Sequence, residues 1–281
     1  MQNWLPINHP NKDLPSINIC VHDNNVKEPD QVIIALHGFT GSGLDFDPIV
    51  DLLPKKTLFI APDLIGHGES DCPRNSGYYS ETFIFELISG IQKRYRLPHF
   101  HLLGYSLGGR LALRYSLHSN KCLDSLILIS STPGIKVKQD RLERKYADKH
   151  LAQNITERGI SWFCKEWEKI PILRSQKNIP PEILNPLRER KLKNNITGLS
   201  NTLEHLSNGN LMPVWDNLST ITTPTYLFTG ADDLKFTEIA KQMKTLIPLS
   251  THSIIPNTGH LPHLESLKAF SQSLNSIILP K

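Results

Sequence analysis

Three residues of this chain have the types and order for proton chemistry at a serine oxygen: Ser106, Asp233 and His260. Ser106 stands in Gly104-Tyr105-Ser106-Leu107-Gly108, between an apolar run and a stretch of helical spacing. A strand, a very tight turn and a helix in that order lift a serine hydroxyl above the end of a parallel sheet. The flanking glycines answer the strain of such a turn and the closeness of its neighbours. Serine is a poor nucleophile or base until an imidazole lies within hydrogen-bond reach and an acid orients that imidazole. His260 follows Gly259, just after an apolar stretch ending at Ile255. Asp232 and Asp233 both follow the strand-like residues 225–229. Asp233 lies deeper in the loop and is the preferred acid, although either aspartate could cap the next helix. His263 is expected on the exposed first turn of the last helix. His37, His67 and His101 are expected to be loop-stabilising or surface histidines.

A reaction at this serine would develop negative charge on an oxygen. Backbone N–H groups aimed at that oxygen each lower the barrier by about 3 kcal/mol. The expected donors are the N–H of Leu107, directly after the serine, and that of Phe39, in the small-residue loop His37-Gly38-Phe39-Thr40-Gly41-Ser42-Gly43. The glycine spacing of that loop is not that of a dinucleotide site, and no cofactor or metal is expected. Arg110 lies one helical turn past Ser106, on the same face. An apolar ester has little use for it, whereas a substrate carboxylate pairs with a guanidinium bidentately. Further basic residues follow at Arg141, Arg144, Lys145, Arg188, Arg190, Lys191 and Lys193, most of them expected on solvated helix faces.

The elements that must position these groups alternate between strand and helix. Short apolar runs at 32–36, 58–61, 99–103, 126–129, 225–229 and 253–255 read as strands, most of them buried on both faces, with a further opening strand at 17–21. Helical spacing appears at 81–94, 107–117, 237–246 and 264–277. That alternation predicts an α/β fold, a mostly parallel central sheet with helices on both faces. From residue 134 to 216 the chain is charged and helix-like without a clear strand, with helical segments at 140–152, 160–168 and 183–193. It reads as an inserted helical cap, with residues 1–133 and 217–281 forming the core.

With 281 residues, 39% hydrophobic and 21% charged, the chain suits one large domain with an insertion. A net charge of +4 fits a site that attracts anions and is too small to argue for nucleic acid. Cys20, Cys72, Cys122 and Cys164 lie far apart in no metal or redox spacing, as expected of free thiols in a reducing compartment. Residues 1–6 lack the basic start and apolar core of a signal peptide, and no run is long enough to span a bilayer. The expectation is a cytoplasmic protein with a small-molecule partner, no nucleic acid and no membrane insertion. Its oligomeric state is left open.

Several segments together resemble a known family. The His37 to Gly43 loop, the run Asp63-Leu64-Ile65-Gly66-His67-Gly68-Glu69-Ser70 and Gly104 to Arg110 resemble the α/β-hydrolase fold. The run Ser130-Ser131-Thr132-Pro133-Gly134, Arg141-x-x-Arg144-x-x-x-Asp148, Trp167-Glu168-x-x-Pro171, Pro213-x-Trp215-x-x-Leu218 and Asp233-x-Lys235-Phe236 are similar to the 2-succinyl-6-hydroxy-2,4-cyclohexadiene-1-carboxylate synthases of menaquinone and phylloquinone (vitamin K) biosynthesis. The resemblance implies a lyase that eliminates pyruvate from 2-succinyl-5-enolpyruvyl-6-hydroxy-3-cyclohexene-1-carboxylate, a polycarboxylate. Ser106 would be the base, activated by His260 and Asp233, with Phe39 and Leu107 N–H groups holding the oxyanion. Arg110 and Arg144 would grip carboxylates, and Tyr105 and Trp167 would line the pocket. Where the family often has a third arginine, Lys191 stands here with Arg190 beside it. The segment Ser207-Asn208-Gly209-Asn210 replaces a Gly-Thr-Gly and reads as a harmless loop change. A carboxylesterase or a carbon–carbon bond hydrolase with the same triad is the rival enzyme. A ligand-sensing receptor on the same fold is the non-enzymatic alternative.

Overall fold

In the computed structural model, residues 14–23 and 28–279 are described; the signal-peptide reading of residues 1–6 lies outside them. The chain runs β1 (Ile19–His22), β2 (Gln31–Leu36), α1 (Asp47–Val50), β3 (Thr57–Pro62), α2 (Glu81–Arg94), β4 (Phe100–Tyr105), α3 (Leu107–His118) and β5 (Leu123–Ile129). The helices α4 (Lys138–Arg158), α5 (Ile160–Trp167), α6 (Pro181–Lys193) and α7 (Ile196–Leu206) follow without an intervening strand. Then come β6 (Thr225–Gly230), α8 (Leu234–Leu246), β7 (Ser250–Ile255), α9 (Pro262–Glu265) and α10 (Leu267–Ile278).

The strands form one sheet in the order β1-β3-β2-β4-β5-β6-β7, in which β1 runs antiparallel to β3 and every other pair is parallel. Strand side chains alternate between faces, and here both faces are covered. Ile34, Leu36, Leu102 and Leu128 point into a core shared with Ile84 and Ile88 of α2 and Leu111 of α3. Ile33, Ala35, Leu103 and Ile129 point the other way, onto Ile49 of α1 and Phe270 and Leu274 of α10. This two-sided burial is why the strands read as unbroken apolar runs rather than alternating ones.

The final helical stretch differs from expectation. It breaks at Ser266 into α9 and α10, and His263, expected in solvent, is 1% exposed. Its ring packs against Phe46, Tyr105 and Phe270. The apolar surroundings had no signal at a single polar position beside Pro262. The expected helix 237–246 starts three residues earlier, because the Asp233 side chain accepts a hydrogen bond from the Phe236 N–H and so begins α8 at Leu234. None of His37, His67 and His101 is a surface residue: all three are buried. His101 bonds Ser125 and Gln31 across neighbouring strands. The four cysteines are free thiols.

The helices between β5 and β6 lie directly on the core. A Cβ added at Gly198 of α7 would fall 2.1 Å from the carbonyl oxygen of Gly66, in the loop after β3. The Asn194 side chain donates to Thr40 O at 2.9 Å. Arg190 pairs with Asp45 at 2.9 Å.

Two outcomes follow from this packing. Gly198→Ala forces two backbones apart and is expected to destabilise the fold by about 1–3 kcal/mol, read as a lowered thermal midpoint; an unchanged midpoint would contradict the contact. His67 and His263 give a pH dependence. Burial first, and then a neighbouring imidazole, pulls each down from 6.5 to about 3. The unfolded chain protonates them near 6.5 and the folded chain only near 3. Their contribution is therefore whole above pH 6.5 and is lost as pH falls toward 3, by about 1.4 kcal/mol per pH unit for each. Urea midpoints measured from pH 7 to 4 should fall, and His263→Phe should flatten the slope by about one proton. An unflattened slope would show that His263 is not held neutral.

Candidate active site

The site is built where β4 turns into α3. Ser106 sits in that turn with φ +51° and ψ −105°, a conformation that side chains rarely adopt. The turn is held closed from both sides. A Cβ at Gly104 would meet Gly108 O at 2.5 Å, and one at Gly108 would meet Leu36 O of β2 at 2.1 Å. The Ser106 N–H donates to Ile129 O of β5 at 2.9 Å. The strained residue is thus pinned between three strands and the start of α3.

Ser106, His260 and Asp233 meet. His260 Nε2 lies 3.2 Å from Ser106 Oγ, and its Nδ1 lies 2.7 Å from Asp233 Oδ2. Both His260 and Asp233 are buried. Asp233 therefore does two jobs, using Oδ2 on His260 and Oδ1 on the Phe236 N–H that starts α8. With Nδ1–H held by the carboxylate, Nε2 is left to accept a proton from the serine. The position of Asp233 as partner of His260, rather than Asp232, is now geometric.

The Phe39 and Leu107 N–H groups have no partner among the described residues. Leu107 opens α3, where an amide has no acceptor within its own helix. Phe39 is oriented by the peptide before it. Gly38 O accepts from His37 Nδ1 at 2.7 Å and from Gly41 N at 3.0 Å. With that carbonyl turned into the protein, the Phe39 N–H on the same planar peptide points the opposite way. His37 can donate there because its Nε2 accepts from Leu64 N at 2.9 Å, which sets the tautomer. Burial keeps the His37 pKa below its ordinary value, so it stays neutral. Its loop-stabilising role thus bears directly on the site.

Above Ser106 a cavity of about 750 Å³ opens, lined by Ser106, His260, Tyr105 and Trp167, and by the basic residues Arg110, Arg144 and Lys191. Arg110 projects from α3, and its Nη2 donates to Leu206 O at 3.3 Å. Burial, and then the Arg144 charge, pulls its guanidinium down to about 9. It remains protonated at neutral pH, in a site that an anion would relieve. Arg144 donates its Nε to both Asp148 oxygens, at 2.8 and 2.9 Å, which fixes it on α4. Lys191 of α6 faces the cavity and bonds Gln176 at 3.2 Å; burial lowers its pKa. Arg190, one position earlier, points instead to Asp45. The helical turn settles which of the two neighbours reaches the cavity.

Phe39 stacks edge-on to Trp167 and Phe163, tying the loop after β2 to α5. The Tyr105 ring lies where a Cβ on Gly38 would fall, 2.6 Å from its Cε1, and burial holds its phenol protonated. Lys136, 4.1 Å above the Trp215 ring, and Lys235 also line the cavity. Lys136, Gln176, Asn208 and His263 were not legible as cavity residues from spacing. Each comes from a loop, a short helix or a 3-10 turn, where no periodicity tells which way a side chain points.

The chain matches the alpha/beta hydrolase fold family over residues 31–267. It is 34% identical over 248 residues to a Bacillus subtilis protein provisionally named 2-succinyl-6-hydroxy-2,4-cyclohexadiene-1-carboxylate synthase, covering 88% of this chain and 90% of the relative. It is 29% identical to the Photorhabdus laumondii protein of that name, covering 88% and 84%. A structure of MenH from S. aureus superposes with a TM-score of 0.87 at 32% identity, covering 92% of this chain and 97% of that one. An esterase from Thermogutta terrifontis has a TM-score of 0.82 at 21% identity, over 99% and 100% of the two chains, which speaks to the fold alone. By its elbow, its sheet and these relatives, the chain belongs to the alpha/beta hydrolase fold family and, within it, to the 2-succinyl-6-hydroxy-2,4-cyclohexadiene-1-carboxylate synthases.

Proposed function

We propose that this chain is a carbon–oxygen lyase that eliminates pyruvate from 2-succinyl-5-enolpyruvyl-6-hydroxy-3-cyclohexene-1-carboxylate in menaquinone or phylloquinone biosynthesis, with Ser106 as the base. The observation that carries the proposal is the sharing of one cavity by Ser106 and His260, the latter held from behind by Asp233, and the basic side chains Arg110, Lys136, Arg144, Lys191 and Lys235. A site for neutral esters has no use for a buried arginine that costs desolvation. A substrate with several carboxylates does.

The bond changes are set by the ring numbering. Ser106 Oγ takes the proton from C2, the carbon bearing the succinyl group, as its own proton passes to His260 Nε2. Charge spreads onto the succinyl ketone oxygen, where the Phe39 and Leu107 N–H groups would receive it. Electrons then form C2=C3, shift C3=C4 to C4=C5 and break the C5–O bond. The enolpyruvyl group leaves as the enolate of pyruvate and takes up one proton, so the reaction neither gains nor loses any. His260, charged after the first step and held by Asp233, gives its proton to the departing enolate, and Ser106 keeps the proton taken from C2, so the triad ends as it began. The two N–H groups are worth most here because the protein fixes them before charge develops.

Arg110 and Arg144 would hold carboxylates, with Lys191 offering a third cation that lacks the bidentate fork. Tyr105 and Trp167 would pack on the ring. The helices of residues 134–216 would act as a cap, contributing Arg144, Trp167 and Lys191. No described helix is long and apolar enough to cross a membrane. With its four free thiols, we place the enzyme in the cytoplasm, acting on a small molecule.

Supplying the enolpyruvyl substrate to the purified protein should release pyruvate, followed with a coupled dehydrogenase. Ser106→Ala should abolish release. Arg110→Ala should lower kcat/KM by about 100-fold, the loss typical of a buried charge pair. Folded protein that releases no pyruvate but cleaves aryl esters rapidly would reverse the assignment in favour of a hydrolase.

A further inference from the structure

We infer that Asn208 is a substrate-binding residue whose amide reads the neighbouring hydroxyl and carboxylate on the substrate ring. It rests on the lyase reading above. The segment Ser207-Asn208-Gly209-Asn210, which reads as a harmless loop change in sequence, runs between the two cavity arginines. At one end Leu206 O accepts from Arg110. At the other, a Cβ on Gly209 would fall 2.4 Å from Lys145 N and 2.9 Å from the Arg144 carbonyl carbon, so the backbone lies directly on α4. Asn208 is held between these two fixed points.

Its neighbours are occupied with structure. Ser207 O accepts from Asn210 N at 3.1 Å and Leu211 N at 3.0 Å, and the Ser207 hydroxyl accepts from Asn210 Nδ2. Asn208 takes no such part. Its side chain lines the cavity and is 8% exposed, its Oδ1 is buried without a partner, and no described residue bonds its amide. Gly209 meets the need for close approach, so the loop itself does not call for asparagine. A buried amide left unpaired is a cost to folding. The cost is recovered when a ligand supplies the missing partners.

The chemistry of that ligand can be read from the next residue around the wall. Arg110 Nε is also buried without a partner. Arg110 and Asn208 share the lining of the cavity and of a small recess beside it. An unpaired donor and an unpaired acceptor in one place suit a hydroxyl, which accepts from Nε–H and donates to Oδ1. The NH₂ end of the amide then faces a carboxylate oxygen, next to the guanidinium that neutralises it. The substrate and its product both carry a 6-hydroxyl beside the 1-carboxylate. A carboxylate alone would satisfy Arg110 and leave Oδ1 stranded.

The test compares two ligands by calorimetry: the reaction product, and 2-succinylbenzoate, whose aromatic ring keeps the succinyl and carboxylate groups and lacks the hydroxyl. The unaltered protein should bind the product at least tenfold more tightly. Asn208→Leu should shrink that ratio to about one and lower kcat/KM for the enolpyruvyl substrate by 10- to 100-fold, mainly through KM. Asn208→Ser, which retains a small polar group in the loop, should give an intermediate ratio and serves where the leucine variant does not fold. A preserved ratio in the variants, or an equal loss for both ligands, would overturn the assignment and leave Asn208 a loop residue. If the unaltered protein releases no pyruvate, the lyase reading fails instead, which is a separate result.

Discussion

The whole site depends on how closely three pieces of backbone approach one another at the end of the sheet. The carbonyl of Leu36, the chain at Gly104 and the first turn of α3 at Gly108 pass with no room for a Cβ. That closeness makes the strained conformation of Ser106 the resting one. It also brings the Leu107 amide beside the loop that carries Phe39. A side chain at either glycine would separate strand and helix and move the serine oxygen and a candidate oxyanion donor together. The parallel sheet, covered on both faces, is rigid enough to carry this strain because each central strand is held on two sides.

From that point the chemistry is a matter of charge. The same turn that serves ester hydrolysis elsewhere in the fold here shares its cavity with five basic side chains. Arg110 pays desolvation in the free protein and sits with its pKa depressed, while Arg144 is steadied by Asp148. The result is a site with positive charge already in position, where two of the lining carboxylates, Asp45 and Asp148, are tied to Arg190 and Arg144. Negative charge, in the substrate and again in the enolate, is what completes it.

Most of the fold was legible because buried parallel strands leave continuous apolar runs and because glycines mark the elbow. Strand limits moved by a few residues, as they do where the hydrogen-bond ladder continues past the apolar stretch. The triad was legible from chain order, and geometry then separated Asp233 from Asp232. The outward arginine and the inward lysine on α6 could not be separated by composition, since Arg190 and Lys191 are neighbours about 100° apart on a helix. Their directions depend on Asp45 and Gln176, which are distant in sequence. His263 was misplaced for a related reason. A histidine in the first turn of a terminal helix reads as exposed, and only the aromatic rings around it show otherwise. Asn208 was invisible because its importance lies in what it does not bond.

The loop from His37 to Asp45 is fastened to the helices between β5 and β6 at three points: Asn194 on Thr40, Arg190 on Asp45, and Phe39 against Trp167 and Phe163. These helices are therefore not a removable module, because the loop that carries the Phe39 amide packs directly on them. A chimera that replaced the helices between β5 and β6 would disturb the loop that carries the Phe39 amide along with the cavity wall. Substrate choice and rate would then vary together, as properties of one joint rather than of two interchangeable parts.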